Sequence, residues 1–280
     1  MGTLIGHVIP GTFMLFWGWW WAVGCILRYF SCKKSGARYV STPTFQNVCC
    51  KGIISRLPVE SVMKVILSAV ASLNELIVFR PVSSISIEQH ATMYLFFLLS
   101  GVVDLCIYYG LHLPSGSSYG AMVLAFVMEG LLFTSHVHGR PELDAYIHQL
   151  LVYIIFLTAL VIALEMKFKT SILLGMTRSY LTMLQGSWFF GVGIILYGHK
   201  QPSFWDHESH TLIMYATLYF CWHCAVHLIL LVLFTLGVWY YNRKHGDLEY
   251  TSHDATEDVE QNASLLESST KEEDSELKVH

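Results

Sequence analysis

Charge is what this chain has least of. Only 14% of its 280 residues are Asp, Glu, Lys or Arg, against about 25% in an ordinary soluble domain. With 54% hydrophobic residues and a mean hydropathy of +0.47, that deficit excludes a typical soluble globule and points to a polytopic membrane protein. No basic excess or basic stripe is present, which excludes nucleic acid as a partner. Residues 1–27 contain neither Lys nor Arg, and the first apolar stretch reaches bulky Trp19, Trp20 and Trp21 instead of a small-residue cleavage site. It is therefore expected to stay in place as its own insertion signal. Position six is Gly6 and not Ser or Thr, so Gly2 is not expected to be myristoylated. Seven cysteines make no even disulfide framework. Cys25, Cys106, Cys221 and Cys224 fall within apolar stretches as packing residues, while Cys32, Cys49 and Cys50 lie in a basic loop where S-palmitoylation is chemically open to them. No proline breaks the middle of an apolar stretch and no internal repeat is present, which argues against a transporter built on inverted repeats.

What the chain has is seven apolar stretches, at roughly 8–28, 59–79, 90–111, 119–137, 145–166, 178–198 and 212–241. About 20 residues of helix cross the hydrocarbon, and no backbone polar group can go unsatisfied there, so these are expected to be helices and not strands. The fold class is all-α: a seven-helix membrane bundle over 1–242, followed by an acidic, polar tail over 243–280 that is expected to be disordered. Short connections favour sequential neighbours, and Gly18, Gly101, Gly130, Gly186, Gly191 and Gly193 offer close helix contacts. Orientation follows Lys and Arg. Arg28, Lys33, Lys34, Arg38, Lys51, Arg56, Lys167, Lys169, Arg178, Arg243 and Lys244 fall on one side; only Arg80, Arg140 and Lys200 fall on the other. By the positive-inside rule the basic side is cytoplasmic, with the N-terminus extracellular or luminal, in the plasma membrane or the secretory and endosomal pathway. The tail's Asn262-Ala-Ser264 sequon would then face the cytoplasm unglycosylated, and Leu265-Leu266 is a weak match to a sorting signal.

Ionisable residues inside such stretches are costly and normally face a protein interior. On the expected topology, Glu75, His90, Glu129, His136, His138, Asp144 and His148 converge in the outer leaflet, with His7 just before the first span and His223 approaching from mid-membrane. Asp144 and His148 share one helix face. Glu129 lies two turns below His136, about 10 Å deeper. Mixed imidazole and carboxylate groups suit Zn²⁺ and related ions, so His90, Glu129, His136, Asp144, His148 and His223 are the candidate metal ligands and Zn²⁺ the candidate cofactor. The competing explanation is a buried hydrogen-bond network that pins helices together, and no tight motif such as H-E-x-x-H decides between them. Asp104 is too deep to join this cluster, with Gln185 as its expected partner. Glu60 and Lys64 read as a helix-surface pair, and Glu165 and Lys167 as snorkelling side chains.

Several ordered motifs resemble the transmembrane protein 45 family: Gly6-His7-Val-Ile-Pro10-Gly11, His90-Ala-Thr-Met-Tyr94, Glu129 through His136-Val-His138-Gly-Arg140 to Leu143-Asp144 and His148-Gln149, Leu184-Gln185-Gly186-Ser-Trp188-Phe189, and Cys221-Trp222-His223. The short first loop and Met1-Gly-Thr are similar to its transmembrane epididymal protein branch. The resemblance covers about 7–242. It implies seven helices, with the N-terminus outside and the C-terminus inside, but no reaction. It also implies that Glu75, His90, Glu129, His136, His138, Asp144, His148 and His223 occupy family polar positions, whereas His227 does not. The loop 80–89 is shorter than the Gly/Pro/His-rich loop of relatives, so no ligand or lid can come from it.

Two functions are consistent with these features. The first is a non-enzymatic accessory or trafficking protein whose polar cluster is structural or holds a ligand. Its partners would be the lipid bilayer and other membrane proteins, met through the bundle or the acidic tail. The second is a metal-dependent hydrolase of a lipid-like substrate, with Glu75 or Glu129 as the catalytic base on a Zn²⁺-bound water. A rhodopsin-like receptor is disfavoured, because Asp104-Leu-Cys lacks the acidic-Arg-aromatic signature and span seven has no Asn-Pro-x-x-Tyr.

Overall fold

The computed structural model describes residues 3–45, 57–78, 85–137, 139–198 and 210–245. Within them lie seven helices: α1 (Leu4–Ser35), α2 (Val59–Val78), α3 (Ile85–Tyr108), α4 (Ser117–His136), α5 (Glu142–Lys167), α6 (Ile172–Tyr197) and α7 (His210–His245). Each expected apolar stretch lies largely on one of them, and no strand is present among the described residues. Six helices, α1 and α3 to α7, are long and apolar enough to cross a membrane. The seventh, α2, has 20 residues but carries Glu60, Lys64 and Glu75. The protein is an all-α, polytopic integral membrane protein. His138, Cys49, Cys50, residues 80–84 of the loop 80–89 and the acidic tail with its sequon and dileucine lie outside the described residues, and 85–89, expected as loop, begin α3.

Helix α1 begins earlier than its apolar run, because Thr3 caps it by accepting the Gly6 N–H at 3.1 Å. His7, expected just before the first span, is therefore already helical. Sequential packing holds for α2 on α3, α3 on α4, α4 on α5 and α5 on α6, but α1 packs mainly along α6. The reason is steric. A Cβ added at Gly186 would fall 2.5 Å from the Leu15 nitrogen, and one added at Gly18 would fall 2.5 Å from Met183 Cγ. Small residues let the two backbones meet, and dispersion then holds them in hydrocarbon. The helices follow the order α2, α3, α4, α5, α6, α1 around an interior, and α7 leans on the outside of α6. Along their described residues α1 and α2 do not pack closely on one another.

They are joined instead at one end, through a carboxylate. Glu60 accepts hydrogen bonds from Trp20 Nε1 at 2.9 Å, Trp21 Nε1 at 2.8 Å and the Phe45 N–H at 2.5 Å. It is buried, as is Lys64, so the surface pair expected from their spacing does not exist. Lys64 instead reaches Asp104 Oδ2 at 2.6 Å, and Ser118 donates to the other carboxylate oxygen. Asp104 thus pairs with α2 and α4, not with Gln185. Glu165 and Arg178 are likewise fully buried, neither snorkelling nor in a loop. Their ion pair is 3.1 Å long, and Ser41 and Tyr119 donate to the same carboxylate. The Arg178 guanidinium lies 4.6 Å from the Trp21 ring and donates to the Pro43 and Thr42 carbonyls at 2.9 and 3.1 Å, which straps the loop after α1 across the bundle. Arg28 is buried as well. Polar groups that look peripheral in sequence are the fasteners of this end, hereafter the Glu165 end.

Candidate functional site

The opposite end gathers the starts of α1, α3 and α5 and the finishes of α2, α4 and α6. Here a cavity of about 530 Å³ opens among six helices. Its mouth is polar, formed by His7, Glu75, His90, His136, Arg140 and His148. Below it runs a largely apolar shaft past Trp17, Leu67, Met93, Phe97 and Phe126, with Ser68, Ser100 and Glu129 also in its wall, ending at Trp21 and Lys64. The α1 contribution recurs at helical spacing, through residues 3, 6, 7, 10, 13, 14, 17 and 21, so one face of α1 is a wall of the cavity.

Each imidazole at the mouth is oriented by a second group. His7 Nδ1 donates to the Thr3 carbonyl at 2.9 Å, and His148 Nδ1 lies 2.8 Å from both the Asp144 carbonyl and its carboxylate. The two Nε2 atoms face each other 3.5 Å apart, close enough for an N–H on either ring to donate to the other. Arg140 holds Asp144 bidentately at 3.0 and 3.1 Å and contacts His136 Nε2, whose Nδ1 meets Gln89 Oε1 at 3.1 Å. The His90 ring lies beside His136, tilted to it by 51° with centroids 5.1 Å apart, and its Nδ1 is 3.8 Å from Glu75. Phe133 lies beneath, 6.4 Å from the His148 ring and 5.6 Å from Phe189.

Two turns down α4, Glu129 lines the shaft and is 3% exposed. Its Oε1 accepts from Gln185 Nε2 at 2.9 Å, whereas Oε2 has no partner among the described residues, nor has Gln185 Oε1.

Of the residues expected to converge, His90, His136, Asp144 and His148 do so, joined by His7 and Glu75, with Glu129 deeper in the same cavity. His223 does not line it. It sits on α7 behind α6, with Nδ1 3.0 Å from Ser187 Oγ and its ring 5.5 Å from Trp188. As placed, no three or more His, Cys, Asp or Glu side chains among the described residues could jointly hold a metal ion. Gln89 and the Glu129–Gln185 pair were not singled out by sequence. Gln89 directly precedes His90 at a helix start, which was the available signal. Gln185 was expected beside Asp104, and nothing local pointed to Glu129, which is remote in the chain.

The fold and site define a helical membrane protein with a polar-mouthed, apolar cavity. A model described as a family of unknown function (DUF716) matches residues 115–236, which takes in α4, α5, α6 and most of α7. The chain is similar to transmembrane epididymal protein 1 of Homo sapiens, 28% identical over 160 residues, an alignment spanning 54% of each protein. It is also similar to transmembrane epididymal protein 1A of Mus musculus (24% identical, covering 81% of this chain and 77% of the relative) and to transmembrane epididymal protein 1 of Rattus norvegicus (24% identical, with the same coverage).

Proposed function

We propose that this chain is a non-enzymatic membrane accessory or trafficking protein of the transmembrane protein 45 family, and that it holds one amphiphilic ligand in the cavity at its His7 end. The carrying observation is the shape and chemistry of that cavity, polar at the mouth and apolar below. Such a gradient suits a molecule with a polar head and an alkyl chain, and pockets of this size commonly hold small molecules. The parting of α1 and α2 around the cavity supports a lipid source for the ligand. The basic residues at the helix ends and in the loop there, Lys33, Lys34, Lys167 and Lys169, support the Glu165 end as cytoplasmic and the His7 end as extracellular or luminal.

A fatty acid with a mid-chain diazirine tests the reading. On irradiation with the purified full chain it is expected to label α1, α3 and α4 at the shaft, near Trp17, Phe97 and Phe126. Labelling confined to the exposed faces of α7 and α2 would overturn the reading, because those faces meet bulk lipid.

A metal-dependent hydrolase is the second reading, favoured by the two Nε2 atoms of His7 and His148 that face each other, each oriented through Nδ1 as metal-binding imidazoles commonly are. Zinc analysis of the purified chain separates the two. Stoichiometric zinc lost in both His7→Ala and His148→Ala supports the hydrolase; zinc-free protein that still takes up the photoprobe supports the accessory role.

A further inference from the structure

Glu129 presents an acceptor that no group among the described residues uses. Its carboxylate is buried where α4 lines the cavity, one oxygen is held by Gln185, and the other has no hydrogen-bond partner among the described residues. A buried polar atom left without a partner is destabilising, and a carboxylate oxygen kept so in a largely apolar wall points to a missing donor; Trp17 Nε1 and Ser100 Oγ, on residues lining the same cavity, are also without partners among the described residues. The Gln185 amide is engaged with Oε1, and its own carbonyl oxygen is also without a partner among the described residues. The depth is specific as well: Glu129 lies seven residues before His136 on α4, about 10 Å below the mouth at 1.5 Å per residue. A plain alkyl chain would pass this point offering nothing.

We infer that the ligand of the cavity is an amphiphile whose chain carries a hydrogen-bond donor, such as a hydroxyl, about 10 Å below its polar head, and that Glu129 reads that donor. This rests on the amphiphile-binding reading above and narrows it to a class. The head would meet Arg140 and the imidazoles at the mouth, the donor would meet Glu129 Oε2, and the remaining chain would fill the shaft past Met93 and Phe97 toward Lys64. Selectivity follows because a site with a buried acceptor rejects a chain lacking the donor far more strongly than it resists a small change of bulk.

The test compares three probes on the purified full chain: stearate, 10-hydroxystearate and 10-methoxystearate, whose substituent sits about as far from the carboxylate as Glu129 sits below the mouth. The expected result is binding of the hydroxy acid about tenfold tighter than stearate, the upper strength of one ordinary hydrogen bond. The methoxy acid, which has the bulk and the oxygen but no donor, is expected to bind no tighter than stearate. In Glu129→Leu the hydroxy preference should vanish while stearate binding persists. The methoxy comparison uses unaltered protein, so it decides the matter even where that variant fails to fold. Equal affinity for all three probes would overturn the inference and leave the amphiphile reading standing. Failure of every probe to bind would remove that reading and the inference with it.

Discussion

The two ends of this bundle use the same kinds of residue to opposite effect. At the Glu165 end, carboxylates and cations are buried and paired: Glu60 takes three donors, Lys64 meets Asp104, and Arg178 bridges Glu165, a loop and a tryptophan face. At the His7 end the polar groups, though many are paired, surround a cavity, and one Glu129 oxygen has no hydrogen-bond partner among the described residues. Pairs packed between helices fasten them; pairs bordering a void leave room for something else. The difference also explains how α1 and α2 can be held at one end and parted at the other, since Glu60 lies at the start of α2 and the cavity occupies the rest.

The largest expected effect lies at the fastened end. Arg178→Ala leaves Glu165 buried without its cation, a change that costs about 3–5 kcal/mol in comparable pairs. We expect loss of monodisperse folded protein in detergent, with partial recovery in Glu165→Gln/Arg178→Met, measured by size-exclusion yield and melting temperature. A single variant as stable as the parent would break the contrast between the ends. Next is Glu60→Ala, which strands the Trp21 indole and the Phe45 N–H, each unsatisfied group costing about 1–3 kcal/mol, while Trp20 keeps the Phe45 carbonyl. Tryptophan emission should change along with the melting temperature, because Trp21 loses its partner and Trp20 one of two. Gly186→Leu comes next. It forces a side chain into the α1 backbone and should destabilise by about 1–3 kcal/mol, detectable as a lower melting temperature without altered lipid content. The smallest effect is expected at the mouth. The Arg140–Asp144 pair is partly exposed, and such pairs contribute about 0–1 kcal/mol, so Asp144→Asn should hardly move the melting point while changing ligand affinity. A large stability loss there would mean that the mouth, too, is structural.

The bundle and the cluster at the mouth were legible because helical periodicity and stretch length are local signals. His90, His136, Asp144 and His148 could be brought together by depth alone, once the helices alternate in direction. The fasteners were not legible, for a physical reason. Glu165 stands near a helix end and Arg178 just after a basic loop, where a flexible charged side chain ordinarily reaches water. Only their meeting across α5 and α6, sealed by Ser41 and Tyr119, shows otherwise. The neighbour of α1 was missed similarly: Gly18 and Gly186 each permit close contact, but neither names its partner. His223 was drawn into the cluster by its depth, although depth cannot tell which side of α6 a residue on α7 will face.

The most direct test of the contrast is native mass spectrometry of the detergent-purified chain beside Ser68→Phe, which narrows the shaft without touching the fasteners. The account predicts one amphiphile retained by the parent and none by Ser68→Phe, at an unchanged melting temperature. A parent chain free of bound lipid, or equal retention by both proteins, would contradict it.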